Sequence, residues 1–428
     1  MDTYDCLIVG SGPAGLGAAF RLVRCKPDLR IAIIDKARMS TGGLRNDCKM
    51  NFTYPVGFPE ALWDSETAER YLEAVRSELD PPTKPTQNLS TYARRAERLG
   101  AKLLAIEQAH LGTDGGLVLI RALTHALRTL GVSLRLEVAA IEVDPNRNVL
   151  VTSKGDLGYR NLILAPGRSG FRFLQGVMRA LDVPYVDHIV DIGMRIETRE
   201  ERYSIVRDYY DPKFFFPERV RTFCTNSGSA HVVQERYEGA AGRVYYSVNG
   251  HAFSENRKSN GLVNFAMLKT VRLTEPLASG QEFAEMLGLQ AMLLGGNKPI
   301  MQRIGDFRLG KRSTGGTFTG DLYDFEPTLR GCTPGDVSLA TPAKILRAIW
   351  KSMKMLDTIV PGVLHPSTIM YYPEIKLYAN KPSFADNWFR VRDSVYMVGD
   401  GAGTSRGITA AWASGARAAD GILSSLGG

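Results

Sequence analysis

The chain has 428 residues, 53 Lys and Arg against 45 Asp and Glu, a formal net charge of +8, and 44% hydrophobic residues. That length holds two domains, and the composition is that of a globular chain rather than a disordered or fibrous one. No window approaches 18 uninterrupted apolar residues, which excludes a membrane-spanning helix by composition. The basic residues are dispersed, with no run of five. This favours phosphate recognition and a basic substrate entrance over a nucleic-acid partner. Five scattered cysteines without a C-x-x-C pair fit free thiols in a reducing cytosol. Met1–Asp5 lacks the basic region of a secretory leader, so a cytoplasmic protein is expected.

The first elements predicted are a strand ending at Val9, a turn Gly10-Ser11-Gly12-Pro13-Ala14-Gly15, a helix from Leu16, and a second strand, Ile31–Ile34, closed by Asp35. In this unit Gly10 permits the tight turn, Gly12 lets backbone approach a pyrophosphate, and Gly15 lets the helix lie close on the strand. The helix N-terminus offers unpaired N–H groups to phosphate. Asp35 stands 20 residues past Gly15, where a carboxylate can accept from ribose hydroxyls. The pattern reads as a dinucleotide site. Its Pro13-Ala14-Gly15 version, with Asp35-Lys36 after the second strand, resembles the flavoprotein fingerprint and implies FAD rather than NAD.

Residues 55–100 are an excursion from this unit, with a helix from Ser65, capped by Ser65 itself and ended by Pro81, Pro82 and Pro85. An amphipathic helix over 115–131, a strand over 133–138 and a hairpin over 140–154 follow. A buried strand then runs into Ala165-Pro166-Gly167. Between 185 and 330 the pattern changes to alternating strands, at 191–197, 230–235, 243–248 and 265–271. No second G-x-G-x-x-G lies among them, which argues against a dedicated NAD(P)H domain. Residues 313–320 read as a mobile loop or lid. Thr341-Pro342-Ala343 starts a helix, with Pro in its first turn and one basic side. That side reads as a solvated face or a membrane-surface face. A last strand runs into Gly399-Asp400, and a small-residue helix begins near Gly407-Ile408. The expected fold class is α/β: a Rossmann-like FAD-binding domain in two parts, 1–183 and 333–428, with an inserted β-rich substrate domain at 184–332.

Three segments resemble the FAD enzymes of the glutathione-reductase-like superfamily. They are the fingerprint, the strand ending in Ala165-Pro166-Gly167, and Gly399-Asp400. Further stretches, including Gly42–Asn51, Asp191–Glu197 and Val248–His251, resemble the FAD-dependent dehydrogenases related to the BaiN-like and aminoacetone-oxidase-like flavoproteins. The resemblance implies that Asp400 holds a ribityl hydroxyl and that Val138 meets the adenine. It also implies that the helix at Gly407-Ile408 aims its N-terminus at the flavin, favouring the reduced anion by roughly 0.3–2 kcal/mol. In such enzymes the stretch through Gly43 passes beside the isoalloxazine. Here it carries Arg45, Asp47, Cys48 and Lys49. Cys48 packs or forms a flavin adduct, and Lys49 or Arg45 supplies the cation that raises flavin electron affinity.

His231 and His251 are the acid–base candidates of the inserted region, with His251 preferred. Arg195 and Glu197 share a strand face and either bind a substrate carboxylate or pair with each other. Six His and five Cys show no zinc spacing, so no metal is expected. The expected function is an FAD-dependent oxidoreductase that moves a hydride between flavin N5 and a C–N or C–C bond of a small molecule. The partner in the second half-reaction is O2, a quinone, a ferredoxin or diffusible NAD(P)H. The alternatives are an FAD-dependent monooxygenase and a flavin-dependent RNA-modifying or RNA-binding protein.

Overall fold

The computed structural model describes residues 1–39, 43–84, 86–239, 242–253, 258–277, 279–319 and 325–427. It divides into two compact units. Unit 1 comprises 1–83, 106–187 and 379–428; unit 2 comprises 84–105 and 188–378.

Unit 1 is built on a largely parallel sheet. Asp2–Val9 lies at its centre, with Ile31–Asp35 and then Ser133–Leu136 on one side. Leu157–Leu164 and then Val395–Met397 lie on the other. Residues Leu7, Ile8, Ile33, Leu162, Ile163 and Leu164 are wholly buried, as expected of strands covered on both faces. The edge strand Arg390–Arg392 runs antiparallel, and the hairpin 140–144/149–152 attaches to Leu157–Leu164. The fingerprint helix, Pro13–Cys25, packs along the C-terminal helix, Ile408–Leu426. Small residues allow this closeness. A Cβ on Gly415 would stand 1.8 Å from the Ala14 carbonyl oxygen, and one on Gly17 would stand 2.3 Å from that of Trp412.

The excursion after residue 55 packs back through aromatic rings. Trp63 makes edge contacts with Phe58 and Tyr71, and its indole N–H donates to the Thr404 carbonyl at 2.8 Å. The Arg417 guanidinium lies over Trp63 and Phe389. The helix here spans Ser65–Leu79, and its cap is Asp64, whose side chain accepts from Thr67 N–H. Ser65 is therefore the first helical residue rather than the cap; its hydroxyl bonds Glu69 instead. Pro85 lies outside the described residues. The helix expected over 115–131 spans Gly112–Thr129, starting three residues earlier than the apolar pattern indicates.

Unit 2 centres on a long antiparallel sheet. Ile189–Arg199 pairs with Leu262–Arg272 on one side and Ile369–Leu377 on the other. Val220–Asn226, Lys213–Phe216 and Lys102–Leu104 extend one edge, and Ile300–Arg303 extends the other. Ala230–Glu238 and Val244–Ala252 form a separate hairpin. The expected boundary at 333 does not match this division. Residues 333–378 stay in unit 2 because Ile369–Leu377 is an interior strand of its sheet. Residues 84–105 join it because Lys102–Leu104 pairs with Lys213–Phe214–Phe215. The helix after Pro342 spans Ala343–Ile359, so Pro342 caps it rather than opening its first turn. Within 313–320, residues Gly315–Phe318 form a short 3-10 turn, and Gly320 lies outside the described residues. No helix among the described residues is long and apolar enough to cross a membrane.

Candidate dinucleotide site and its charged flank

The turn after the first strand owes its shape to two glycines with no room for a side chain. Gly10 has φ +104°, and a Cβ there would meet the Ala165 carbonyl oxygen at 2.2 Å. A Cβ on Gly15 would meet the Gly10 carbonyl oxygen at 1.9 Å. Gly12 differs from both. Its φ of −74° suits any residue, and a Cβ there would meet nothing within 4 Å. Gly12 caps the fingerprint helix without a side-chain bond, Pro13 opens the helix, and Ala14 lies buried in its first turn. The protein thus leaves backbone bare at a helix N-terminus, beside open space, which is the arrangement a pyrophosphate requires.

Asp35 is tied to this turn. One carboxylate oxygen accepts from Ser11 N–H at 2.8 Å and from the Ser11 hydroxyl at 2.7 Å; the other accepts from Ala37 N–H at 2.8 Å. Ser11 carries no signal of this role in the sequence, where only the glycines stand out. Val138 is buried, and its N–H donates to the Asp35 carbonyl. Lys36 is exposed. A cavity of about 270 Å³ opens beside Ser11, lined by Leu16, Arg38, Met39, Arg121 and Leu136 among others.

The Gly399–Asp400 turn lies on the other side of the central strand. A Cβ on Gly401 would stand 2.4 Å from the Gly167 carbonyl oxygen, so this loop rests on the Ala165-Pro166-Gly167 turn. Asp400 accepts from the Ser405 hydroxyl at 2.9 Å and from Gly407 N–H at 3.2 Å, with Arg168 at 3.6 Å. Gly399 and Gly407 have φ of +82° and +85°. Gly407 caps the C-terminal helix, and Ile408 is its first, buried residue.

The stretch after Gly43 approaches this helix start. A Cβ on Gly43 would stand 3.0 Å from Ile408, and the Thr409 hydroxyl donates to the Asn51 carbonyl at 2.6 Å. Gly42 lies outside the described residues. Asp47 is nearly buried and bridges two partners, Lys49 Nζ at 3.0 Å and His110 Nε2 at 2.8 Å. Burial alone would raise the Asp47 pKa, but the Lys49 ammonium and His110 outweigh it and hold the carboxyl well below the usual range. Cys48 is buried with φ +51°. Burial, then the Asp47 charge, pushes its thiol up to about 12. The Cys48 side chain packs in the hydrophobic core of unit 1. Arg45 is half-buried on the short helix Gly43–Asn46. His110 escaped the sequence reading because its strand register opposite Lys49 is not written locally.

The remaining candidates lie in unit 2. His251 stands directly opposite His231 on the hairpin, and the His231 ring meets Phe253 edge-on at 5.6 Å. Arg195 and Glu197 do not pair, contrary to one reading of their alternation. Arg195 is fully buried and held by both oxygens of Glu374, at 2.8 and 2.6 Å. Glu197 accepts from the Tyr371 hydroxyl at 2.6 Å and from Thr328, and burial pushes its pKa up. Neither is open to a substrate carboxylate, since strands on both sides bury them.

The chain is similar to one family and to several solved structures. The family described as pyridine nucleotide-disulphide oxidoreductase matches residues 4–196. No curated protein matches the chain by sequence. Among solved structures, L-proline dehydrogenase from P. horikoshii is similar at 10% identity and a TM-score of 0.46, over 99% of this chain and 94% of that one. Glycine oxidase from Bacillus cereus ATCC 14579 is similar at 12% identity and a TM-score of 0.40, over 99% and 95%. p-Nitrophenol 4-monooxygenase PnpA from Pseudomonas putida DLL-E4 is similar at 11% identity and 0.42, over 100% and 81%. The α/β fold, the bare turn at Gly12 and the family match define the class: an FAD-dependent oxidoreductase.

Proposed function

We propose that the chain moves a hydride between a small-molecule C–N or C–C bond and flavin N5, with FAD laid along the Gly10–Gly15 turn. The observation that carries this reading is Gly12. Neither φ nor a neighbour explains a glycine there, and a Cβ would fill only the space that a pyrophosphate needs. Gly10, Gly15, Asp35 and the Ala165-Pro166-Gly167 turn hold that cradle in shape. Asp400 is proposed for a ribityl hydroxyl, Val138 for the adenine edge, and Gly43, Gly399, Gly407 and Ile408 for the flavin end. When bound, the flavin supplies a two-electron carrier.

Lys49 and Arg45 are proposed to place positive charge toward that carrier. The Asp47–His110 pair supports this role for Lys49, because it holds the ammonium in one position at 3.0 Å. His251 is proposed as the proton donor or acceptor for the substrate. NAD(P)H, if used, comes as a diffusible reductant, since the chain carries no second glycine fingerprint.

The test is anaerobic bleaching of the bound flavin by a panel of amines, amino acids, thiols and NAD(P)H. Reduction by at least one donor is expected, slowed at least about tenfold in Lys49→Met. A flavin that no member of the panel reduces would contradict the hydride-transfer reading.

A further inference from the structure

The helix Ala343–Ile359 carries Lys344, Arg347, Lys351 and Lys354 at spacings of three, four and three. Those intervals place all four on one stripe. The stripe lies opposite the buried Ile345, Ile349, Met353 and Leu356, and all four cations are exposed. Only Lys351 has an ion pair among the described residues, with Glu218 at 3.2 Å. One carboxylate, Asp357, sits on the helix, and it is turned to the N–H groups of Gly362 and Leu364.

A second basic segment adjoins the stripe. Trp350, three residues after Arg347 and four before Lys354, meets the Phe307 ring edge-on at 4.9 Å. Phe307 leads into Arg308-Leu309-Gly310-Lys311-Arg312, exposed throughout. The Gln302 side chain ties this loop to the turn before the helix, donating to the Lys311 carbonyl at 2.7 Å and accepting from Val337 N–H at 3.0 Å. Each tied segment holds out a leucine: Leu309 is 68% exposed and Leu339 is 69% exposed. The carboxylates nearby are occupied, Asp306 by the Ser313 hydroxyl and Asp336 by Ser338 N–H.

We propose that this face docks on an anionic lipid bilayer, with the stripe and the loop against the headgroups and Leu309 and Leu339 below them. Charge complementarity selects the partner. A polyanion in water satisfies the cations but gives two isolated leucines nothing, whereas a bilayer interface takes both. The chain needs no spanning helix for this, and the inference stands independently of the substrate proposal.

Co-sedimentation of the flavin-loaded full chain with vesicles tests it. The vesicles are phosphatidylcholine alone, and phosphatidylcholine mixed in equal parts with phosphatidylglycerol. Binding is expected to the anionic vesicles only, and to fall with added salt. Each charge removed should weaken it about fivefold, so Lys344→Gln with Arg347→Gln should weaken it about 25-fold. Leu309→Ser with Leu339→Ser should also weaken binding but leave the salt dependence unchanged. All four positions are exposed, and an unchanged flavin spectrum checks the fold. Absent binding, equal binding to neutral vesicles, or full binding by the serine variant would overturn the proposal. The last outcome would mean that charge alone attracts the face to anions, with no apolar insertion of Leu309 and Leu339.

Discussion

A methyl group added at Gly12 and one added at Gly15 should have opposite consequences. At Gly12 it meets nothing within 4 Å and φ is ordinary. Gly12→Ala should therefore keep its stability to within about 0.5 kcal/mol and lose at least about tenfold in FAD affinity. At Gly15 the methyl meets a backbone oxygen at 1.9 Å that cannot swing aside. Gly15→Ala should lose about 1–3 kcal/mol of stability or more. Thermal unfolding of the apoprotein and FAD titration separate the two effects. Equal loss of stability in both variants would contradict the distinction. Asp47 offers a pH test. Its folded pKa lies below the ordinary carboxylate value, so its contribution is present above about pH 4 and is lost as pH falls further. Asp47→Asn should cost roughly 3 kcal/mol at neutral pH. Its difference in Tm from the wild type should shrink below about pH 4. A difference that grows on acidification would have the wrong sign.

Pairing between elements decided what the sequence could disclose. The β-α-β unit was legible because strand, glycines, helix and Asp35 are neighbours in the chain. The strand patterns at 191–197, 230–235, 243–248 and 265–271 were legible for the same reason; three lie within strands, and the other overhangs the strand Val244–Ala252 by Arg243. The partners of buried charges were not. His110 reaches Asp47 across 63 residues, and Glu374 reaches Arg195 across 179. Alternation along one strand put Arg195 and Glu197 on a shared face but said nothing of which strand lies beside it. That strand, Ile369–Leu377, brings the carboxylate. Breaking a fully buried pair leaves an uncompensated charge. Glu374→Gln should therefore cost about 3–5 kcal/mol in urea denaturation. A loss of under about 1 kcal/mol would show that Asn249, Asn264 and the Cys224 carbonyl suffice for Arg195.

At the scale of the molecule, the residues proposed for the cofactor come from distant parts of the chain and meet within unit 1. The fingerprint, the Ala165-Pro166-Gly167 turn and Gly399–Asp400 share one parallel sheet and its carboxyl-end loops. The chain leaves this unit after Thr83 and again after Asp187, and the hydrophobic pattern changes period near the second. The return was not legible. Ile369–Leu377 is buried in unit 2 up to Lys376, yet Pro373, Glu374 and Lys376 interrupt its apolar run, so its sequence does not mark it as an interior strand. The central claim is that unit 1 holds one FAD along the turn at Gly12. Quantifying the flavin released from purified or reconstituted protein tests it most directly, with Asp400→Ala beside the wild type. One FAD per wild-type chain and little in the variant is the expected result. A folded, colourless wild type that takes up no FAD would contradict the claim.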